Sequence, residues 1–501
     1  IGDQDIVSKL INKRSDNEFL ELMANLGGHC VPTLCDAFNG INDDKPTAFI
    51  AYTIKGWGTP LAGHKDNHAG LMTKIQMDSF KSKFGVTEGN EWNSFLDAKE
   101  DLELNEFIKN SPFQKARHRK YNSKKIPVDD IILITETKIS TQNAFGKILD
   151  QYAKNNTEFG NRIITTSPDV SVSTNLGPWI NKKGLFSRTD SSDTFRDRKI
   201  PSAQKWIFSS QGQHIELGIA EMNLFLMLGA AGLSHELFGE RLFPIGTVYD
   251  PFIARGLDAM NYACYQDARF MIVGTPSGVS LAPEGGAHQS IGTPLIGISQ
   301  PGLLSYEPAF ADELSIIMNY GFNYLQDENG GSVYLRLTTR PIEQPLREIN
   351  HELKHNVVKG GYWLRKPGPN PEIIIIYQGV VASEAVEATA LLGERFKDIG
   401  VLGITSSDNL FHDWKNKYLT NEKNNKNSHI EDLLKIIPKD TKIVTVIDGH
   451  PMTLSWVGSV FGHKIIPLGV DKFGQTGSLN QLFSEFAIDS ESICNLGFNA
   501  N

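Results

Sequence analysis

The chain has 501 residues, a net charge of −9 from 49 Lys and Arg against 58 Asp and Glu, and 40% hydrophobic residues. That is apolar material for about three domains of ~150 residues, and the acidic balance argues against a nucleic-acid or anionic-membrane binder. The longest nearly apolar run, 222–233, is shorter than the roughly 20 residues a membrane span needs. The four cysteines, at 30, 35, 264 and 494, form neither a CxxC pair nor a zinc-ligand pattern. With no basic-then-apolar leader, a reducing, cytoplasmic setting is expected.

In chain order, three α/β blocks are predicted. In the first, 1–105, the stretch 47–54 (TAFIAYTI) has the composition of a buried strand. A glycine-rich loop, 55–63 (KGWGTPLAG), follows it, then a helix over 78–84. The stretch 114–125 (QKARHRKYNSKK) carries six Lys or Arg and predicts a solvated linker, placed at 106–126. In the second block, 127–345, helices are predicted over 140–155, 215–233 and 311–320, and strands over 161–166, 269–275 and 332–337. The third block, 346–501, contains a turn-rich linker at 366–371 (KPGPNP) and buried strands at 373–379 (IIIIYQG) and 442–448 (KIVTVID). It also contains a helix over 382–396 and an exposed Asn/Lys-rich insertion at 415–428. Strands alternating with helices indicate open parallel sheets, whose sites lie at the carboxyl ends of strands.

Unusual residues collect there, at 56–68, 277–288 and 448–450, and three segments carry candidate chemistry. HIELGIAEMN (214–223) puts Glu216 and Glu221 near the start of an otherwise apolar helix. A carboxylate in such a place needs a partner or a task; capping the helix or pairing with an arginine is the plain alternative. APEGGAHQSIGTP (282–294) joins a Pro-Glu-Gly-Gly turn to His288, a candidate proton shuttle or simply a backbone-bonded loop histidine. His64 and His68 lie four apart, but Gly56, Gly58, Gly63 and Gly70 argue against the helix that a metal pair would need. No Walker A, GxSxG or HExxH sequence occurs.

Taken together, KPTAFIAYTIKGWGTPLAGHKDNHAGLM, TSPDVSVSTN, HIELGIAEMN, TVYDPFIARGLDA, APEGGAHQSIGTP, IDGHPMTLSWVGSVFG and LGVDKFGQTG occur in an order that resembles the thiamine-diphosphate-dependent transketolase and homodimeric pyruvate dehydrogenase family. The resemblance implies three consecutive open-sheet α/β domains of the transketolase-like type. These are an incomplete end of the pyrophosphate-binding domain (1–105), the pyrimidine-binding domain (127–345) and the carboxy-terminal domain (346–501). It implies that Glu221 protonates the aminopyrimidine of the cofactor, and that Tyr249 and Phe252 contact and stack on that ring. Asp169 would lie close to the cofactor. His288 would serve substrate binding and proton transfer, His68 would sit on a loop at the mouth of the site, and His64 would lie near it. Arg340 stands where transketolases carry an arginine for the sugar phosphate; an interdomain salt bridge is its alternative.

The implied activity is decarboxylation of a 2-oxo acid, pyruvate, with acetyl transfer to a lipoyl group on a partner acyltransferase. The alternatives are two-carbon transfer between sugar phosphates and a non-catalytic assembly subunit. A homodimer with thiamine diphosphate and Mg2+ is implied. The family's Gly-Asp-Gly … Asn metal motif is not in this sequence. With a first residue other than Met, the expectation is an amino-terminally truncated chain, with the metal motif upstream; the alternative is a partner subunit that supplies that half.

Overall fold

The structure, a computed structural model, describes residues 4–93, 102–111, 123–189, 197–199, 205–419 and 427–498. The chain divides into two compact units, Ile1–Arg117 and His118–Asn501.

The first unit is helical among its described residues. Ser15 and Glu18 close a reciprocal capping box on the helix Asp16–Ala24, and Thr73 and Gln76 do the same for Lys74–Lys83. The latter helix contains the predicted 78–84 except Phe84, its C-cap. The predicted strand at 47–54 does not form: the segment is irregular, and no described residue of this unit is in a strand or buried. An apolar run becomes a strand only where a neighbouring strand takes its backbone hydrogen bonds. Here Tyr52 O instead accepts from Gly28 N, and Ile54 N donates to His29 Nε2 at 2.8 Å. Most of the basic stretch 114–125 lies outside the described residues.

The second unit holds two sheets and one short antiparallel pair, β1 (Lys138–Ile139) with β10 (Ile342–Glu343). The larger sheet contains β2 (Ile163–Ser167), β3 (Leu185–Phe186), β4 (Phe208–Ser209), β5 (His214–Glu216), β6 (Phe243–Val248), β7 (Met271–Gly274), β8 (Leu303–Tyr306) and β9 (Ser332–Arg336). Its eight strands are parallel in the order β4-β3-β5-β2-β6-β7-β9-β8. The chain builds outward on one side of β2 and then crosses to β6, so the topological switch point lies between β2 and β6. One face is covered by the helices Thr141–Asn155 and Ala311–Tyr324, whose Phe145, Ile148, Tyr152 and Phe322 pack with Phe159 and Phe243. Ser140 caps the first of these by accepting from Asn143 N. The helices Glu221–Gly232 and Leu257–Tyr265 cover the other face through Leu224, Phe225, Leu228, Met260 and Ala263.

The predicted helix at 215–233 is two elements. Residues 214–216 form β5, and the helix starts only at Glu221, because Gly218 turns the chain at φ +68°.

The second sheet contains β11 (Gly361–Arg365), β12 (Ile373–Gln378), β13 (Gly400–Ile404), β14 (Lys442–Ile447) and β15 (Ile465–Leu468) in the order β11-β13-β12-β14-β15. β11 runs antiparallel and the rest are parallel. KPGPNP therefore links two strands of one sheet. The unbroken run IIIIYQ is buried along its whole length, as a strand covered on both faces must be. The helix Ser407–Leu419 runs through part of the predicted insertion at 415–428; 420–426 lie outside the described residues. No described helix is long and apolar enough to cross a membrane.

Candidate functional site

Three loops at the carboxyl ends of strands converge in the second unit. β6 ends at Val248 and delivers Tyr249 into the turn Asp250–Gly256, which carries Phe252. β7 ends at Gly274 and leads to Val279–Glu284 and then Gly286–His288. The Tyr249 and Phe252 rings lie 6.0 Å apart and nearly parallel, at 12°. The His288 ring stands edge-on to both, at 6.0 Å from Tyr249 and 5.5 Å from Phe252. His288 Nδ1 is buried and has no hydrogen-bond partner among the described residues.

Asp169 follows β2 across the switch point. Burial raises the Tyr249 hydroxyl above its ordinary value; Ser173 opposes this, while the Glu284 and Asp169 carboxylates reinforce it. Tyr249, Phe252, Asp169 and His288 thus share one end of the sheet.

Glu221 is the first residue of its helix, buried, and ion-paired with Arg255. The plain alternative from the sequence is therefore realised in geometry: a glutamate at a helix start, held by an arginine. The pair belongs to the same cluster, because the Arg255 guanidinium stacks on Phe252 at 3.8 Å. Glu216 is bonded instead to Ser171 and lies 3.3 Å from His214 Nε2.

Arg340 is not free for a substrate. It forms a bidentate pair with Glu384, Nη1–Oε2 at 2.9 Å and Nη2–Oε1 at 2.5 Å, and covers the Phe483 ring at 4.7 Å. His64 and His68 belong to the first unit. There, His68 Nδ1 lies 2.6 Å from Lys55 Nζ, and His64 Nδ1 accepts from Asp66 N at 3.1 Å, on a loop turned by Gly56, Gly58 and Gly63 at positive φ.

Beneath the aromatic cluster lies a buried charge network that the sequence reading did not find. Asp250 accepts from Ser290, from Thr293 Oγ1 at 2.5 Å, from Tyr334 and from Arg336 Nε at 3.0 Å. Arg336 also donates to Glu307, to which Gln378 Nε2 donates at 2.9 Å. Asp448, at the end of β14, accepts from Val279 N at 2.8 Å and Ser280 N at 3.0 Å. Burial raises the Glu307 and Asp448 carboxyls above their ordinary values, with Arg336 opposing in both cases. Burial also works against charge on Arg336, but Glu307, Asp250, Tyr334 and Asp448 outweigh it and raise the guanidinium above its ordinary value.

Glycines make room for the acids. A Cβ at Gly274, Gly278 or Gly379 would lie 2.2, 2.2 or 2.5 Å from an oxygen of Asp250, Asp448 or Glu307 respectively. Each of the four charged residues closes or follows an apolar strand, a signal that the sequence does contain.

Flat rings, a buried carboxylate at a helix start and an unpartnered buried imidazole nitrogen suit a planar, hydrogen-bonding heteroaromatic ligand. A groove of about 790 Å3 lies elsewhere, along Asp129, Asn319, Asn323 and Arg347, and none of the site residues lines it. No group of three or more His, Cys, Asp or Glu able to hold a metal ion occurs among the described residues.

Comparison with known proteins bears on both sheets. Residues 134–345 match the family described as the pyruvate dehydrogenase E1 component middle domain, and residues 360–489 match the transketolase-like C-terminal domain. The chain is 25% identical to the pyruvate dehydrogenase E1 component of Cupriavidus necator over 418 residues, 77% of this chain and 45% of that protein. It is 25% identical to the protein of the same name from Pseudomonas aeruginosa over 528 residues, 96% of this chain and 57% of that protein. The chain thus spans about half the length of the curated relatives it matches. In fold it is similar to transketolase from Leishmania mexicana, with a TM-score of 0.66 at 17% identity over 94% of this chain and 64% of that one. It is likewise similar to transketolase from Campylobacter jejuni, with a TM-score of 0.66 at 16% identity over 93% of this chain and 65% of that one.

Proposed function

Because the chain belongs to the thiamine-diphosphate-dependent transketolase-like family, two of whose domain families it matches in order, we propose that it acts in the decarboxylation of a 2-oxo acid. The acid is pyruvate, and the acetyl unit passes to a lipoyl group on a partner acyltransferase. The observation that carries this reading is the grouping of Glu221, Tyr249, Phe252 and His288 inside the segment matched to the pyruvate dehydrogenase E1 middle domain.

Thiamine diphosphate, when bound, supplies the carbanion-stabilising chemistry that lets a 2-oxo acid lose carbon dioxide. The residues described fit its aminopyrimidine. Tyr249 and Phe252 offer ring faces and edges, and Asp169 sets the charge beside Tyr249. Glu221 would hold its carboxylate at the pyrimidine for proton transfer, with Arg255 fixing its orientation. His288, through its buried Nδ1, moves a proton on the substrate side. Mg2+ would accompany the diphosphate.

We infer a homodimer from the outer face of the helices Glu221–Gly232 and Leu257–Tyr265 and the turn before the first of them. Ile219, Met222, Leu226, Tyr262 and Tyr265 are large, apolar or aromatic, and exposed there, Ile219 by 80% and Tyr265 by 85%. A second copy would cover them beside Glu221. Light scattering checks this: a monomer that still turns over contradicts it.

The engagement of Arg340 by Glu384 supports pyruvate over a sugar phosphate, since a dianionic phosphate would have to displace a buried carboxylate. The deciding experiment assays the native protein with pyruvate and with xylulose 5-phosphate. Pyruvate decarboxylation is expected. Ketose-phosphate cleavage alone would replace this reading with transketolase. Failure to bind thiamine diphosphate would leave an assembly subunit.

A further inference from the structure

The loop that carries His288 is held by the other sheet as well as by its own. Asp448 follows β14 of the five-stranded sheet, yet both its oxygens receive backbone N–H groups of that loop, from Val279 and Ser280. His450 N donates to Ile291 O at 2.9 Å, and Gln289 Nε2 donates to Gln475 O at 2.9 Å. The backbone of Gly474 packs so closely on Gly286 that a Cβ there would lie 2.2 Å from Gly474 O. Within its own sheet, the loop is tied at Ser290, through Asp250 and Arg336, and behind β9, where Ser277 Oγ donates to Leu337 O at 2.7 Å and Ser280 Oγ lies 2.9 Å from Thr338 Oγ1. Gly278, at φ +68°, bends the chain so that its two following amides point at Asp448.

We propose that Asp448 is a positioning residue for His288: it fixes the Val279–Glu284 turn by two charge-assisted backbone bonds and so makes the five-stranded sheet a structural part of the site. Such bonds are short and directional, and a displacement of about 1 Å in a reacting group can cost on the order of 100-fold in rate. An amide at 448 has one accepting oxygen for two N–H groups and brings no negative charge to Arg336.

This inference rests on the reading of His288 as an active-site residue, so its test has one arm that needs no activity. Hydrogen exchange of the native protein should be faster by about 10-fold or more in the peptide spanning 279–288 of Asp448→Asn, with β12 and β14 peptides unchanged. Unchanged exchange at 279–288 overturns the proposal, whatever the enzyme does. The second arm is a double-mutant cycle on turnover. Asp448→Asn should lower kcat by about 10- to 100-fold in the wild-type background and have almost no effect in a His288→Ala background. An equal loss in both backgrounds overturns the proposal, because a merely structural Asp448 would lower both alike. If the wild-type protein turns over neither pyruvate nor a ketose phosphate, the functional reading fails and the exchange arm alone decides this one. Should Asp448→Asn not fold, Gly278→Ala drives a methyl into the same carboxylate and gives the same readouts.

Discussion

Replacing Arg340 by methionine separates two roles for one guanidinium. The side chain gives Glu384 two hydrogen bonds, of 2.9 and 2.5 Å, with the two groups only 17% and 10% exposed. Methionine fills much of the space over Phe483 but leaves Glu384 buried without its cation. Breaking a buried pair from one side costs about 3–5 kcal/mol, chiefly because the remaining charge is stranded. For a unit the size of His118–Asn501, the unfolding entropy is roughly 0.8 kcal/mol/K. The thermal midpoint of Arg340→Met should therefore fall by about 4–6 °C. Adding Glu384→Leu removes the stranded charge and should recover most of that loss. Scanning calorimetry of the wild type, both single variants and the double variant measures this directly. In the same preparations, the KM for pyruvate should be nearly unchanged. The reasoning is refuted if Arg340→Met keeps its midpoint while xylulose 5-phosphate binding weakens ~10- to 150-fold, the loss of a charge-assisted bond of ~1.5–3 kcal/mol.

Glu221→Gln should fold normally and lose ~100- to 10,000-fold in turnover; near wild-type turnover would remove Glu221 from the mechanism. Gly256→Ala places a Cβ 2.0 Å from Phe225 Cδ2. It should lower stability by about 1–3 kcal/mol in a urea titration, and Phe225→Leu should restore part of that. His235 is buried, and burial, reinforced by Arg241, pulls its imidazole down to about 4. With an unfolded value near 6.5, the unfolded chain takes up the proton first as pH falls. Stability is then intact above about pH 6.5 and falls toward pH 4 by about 3 kcal/mol. His235→Gln should flatten that slope, and a slope that persists in the variant excludes His235 as its source.

The inner strands are plain in the sequence because burial on both faces writes an unbroken apolar run: IIIIYQ is a strand where it was expected, and so is MIVG within RFMIVGT. The same signature at 47–54 is not a strand, since composition records a preference and not whether a pairing partner stands alongside. β5 is legible only in retrospect. Its three residues merge into the apolar helix that follows, and only Gly218 marks the break. Glu221 and His288 stand out because charge and imidazole are rare in apolar or glycine-rich surroundings. Asp250, Glu307 and Arg336 escape notice because each looks like an ordinary polar residue ending a strand, and Asp448 stands out only as the start of the run 448–450, with no role attached. Their meaning is three-dimensional, since strands distant in sequence finish at one point. Arg340 illustrates the converse: its position suggests a ligand, but Glu384, from the helix Ala382–Leu392, decides otherwise.

The carboxylates that occupy the missing Cβ positions of Gly274, Gly278 and Gly379 make each glycine and its acid a single unit of volume. Neither member can change alone, because a methyl meets an oxygen and a shortened acid leaves a buried gap beside an arginine. In a deep alignment of relatives, positions 250 and 274, 278 and 448, and 307 and 379 should therefore covary, although the second and third pairs bridge two sheets. For laboratory evolution, libraries that randomise one of these positions at a time should return only the parent residue. Libraries that randomise a pair together should recover new combinations.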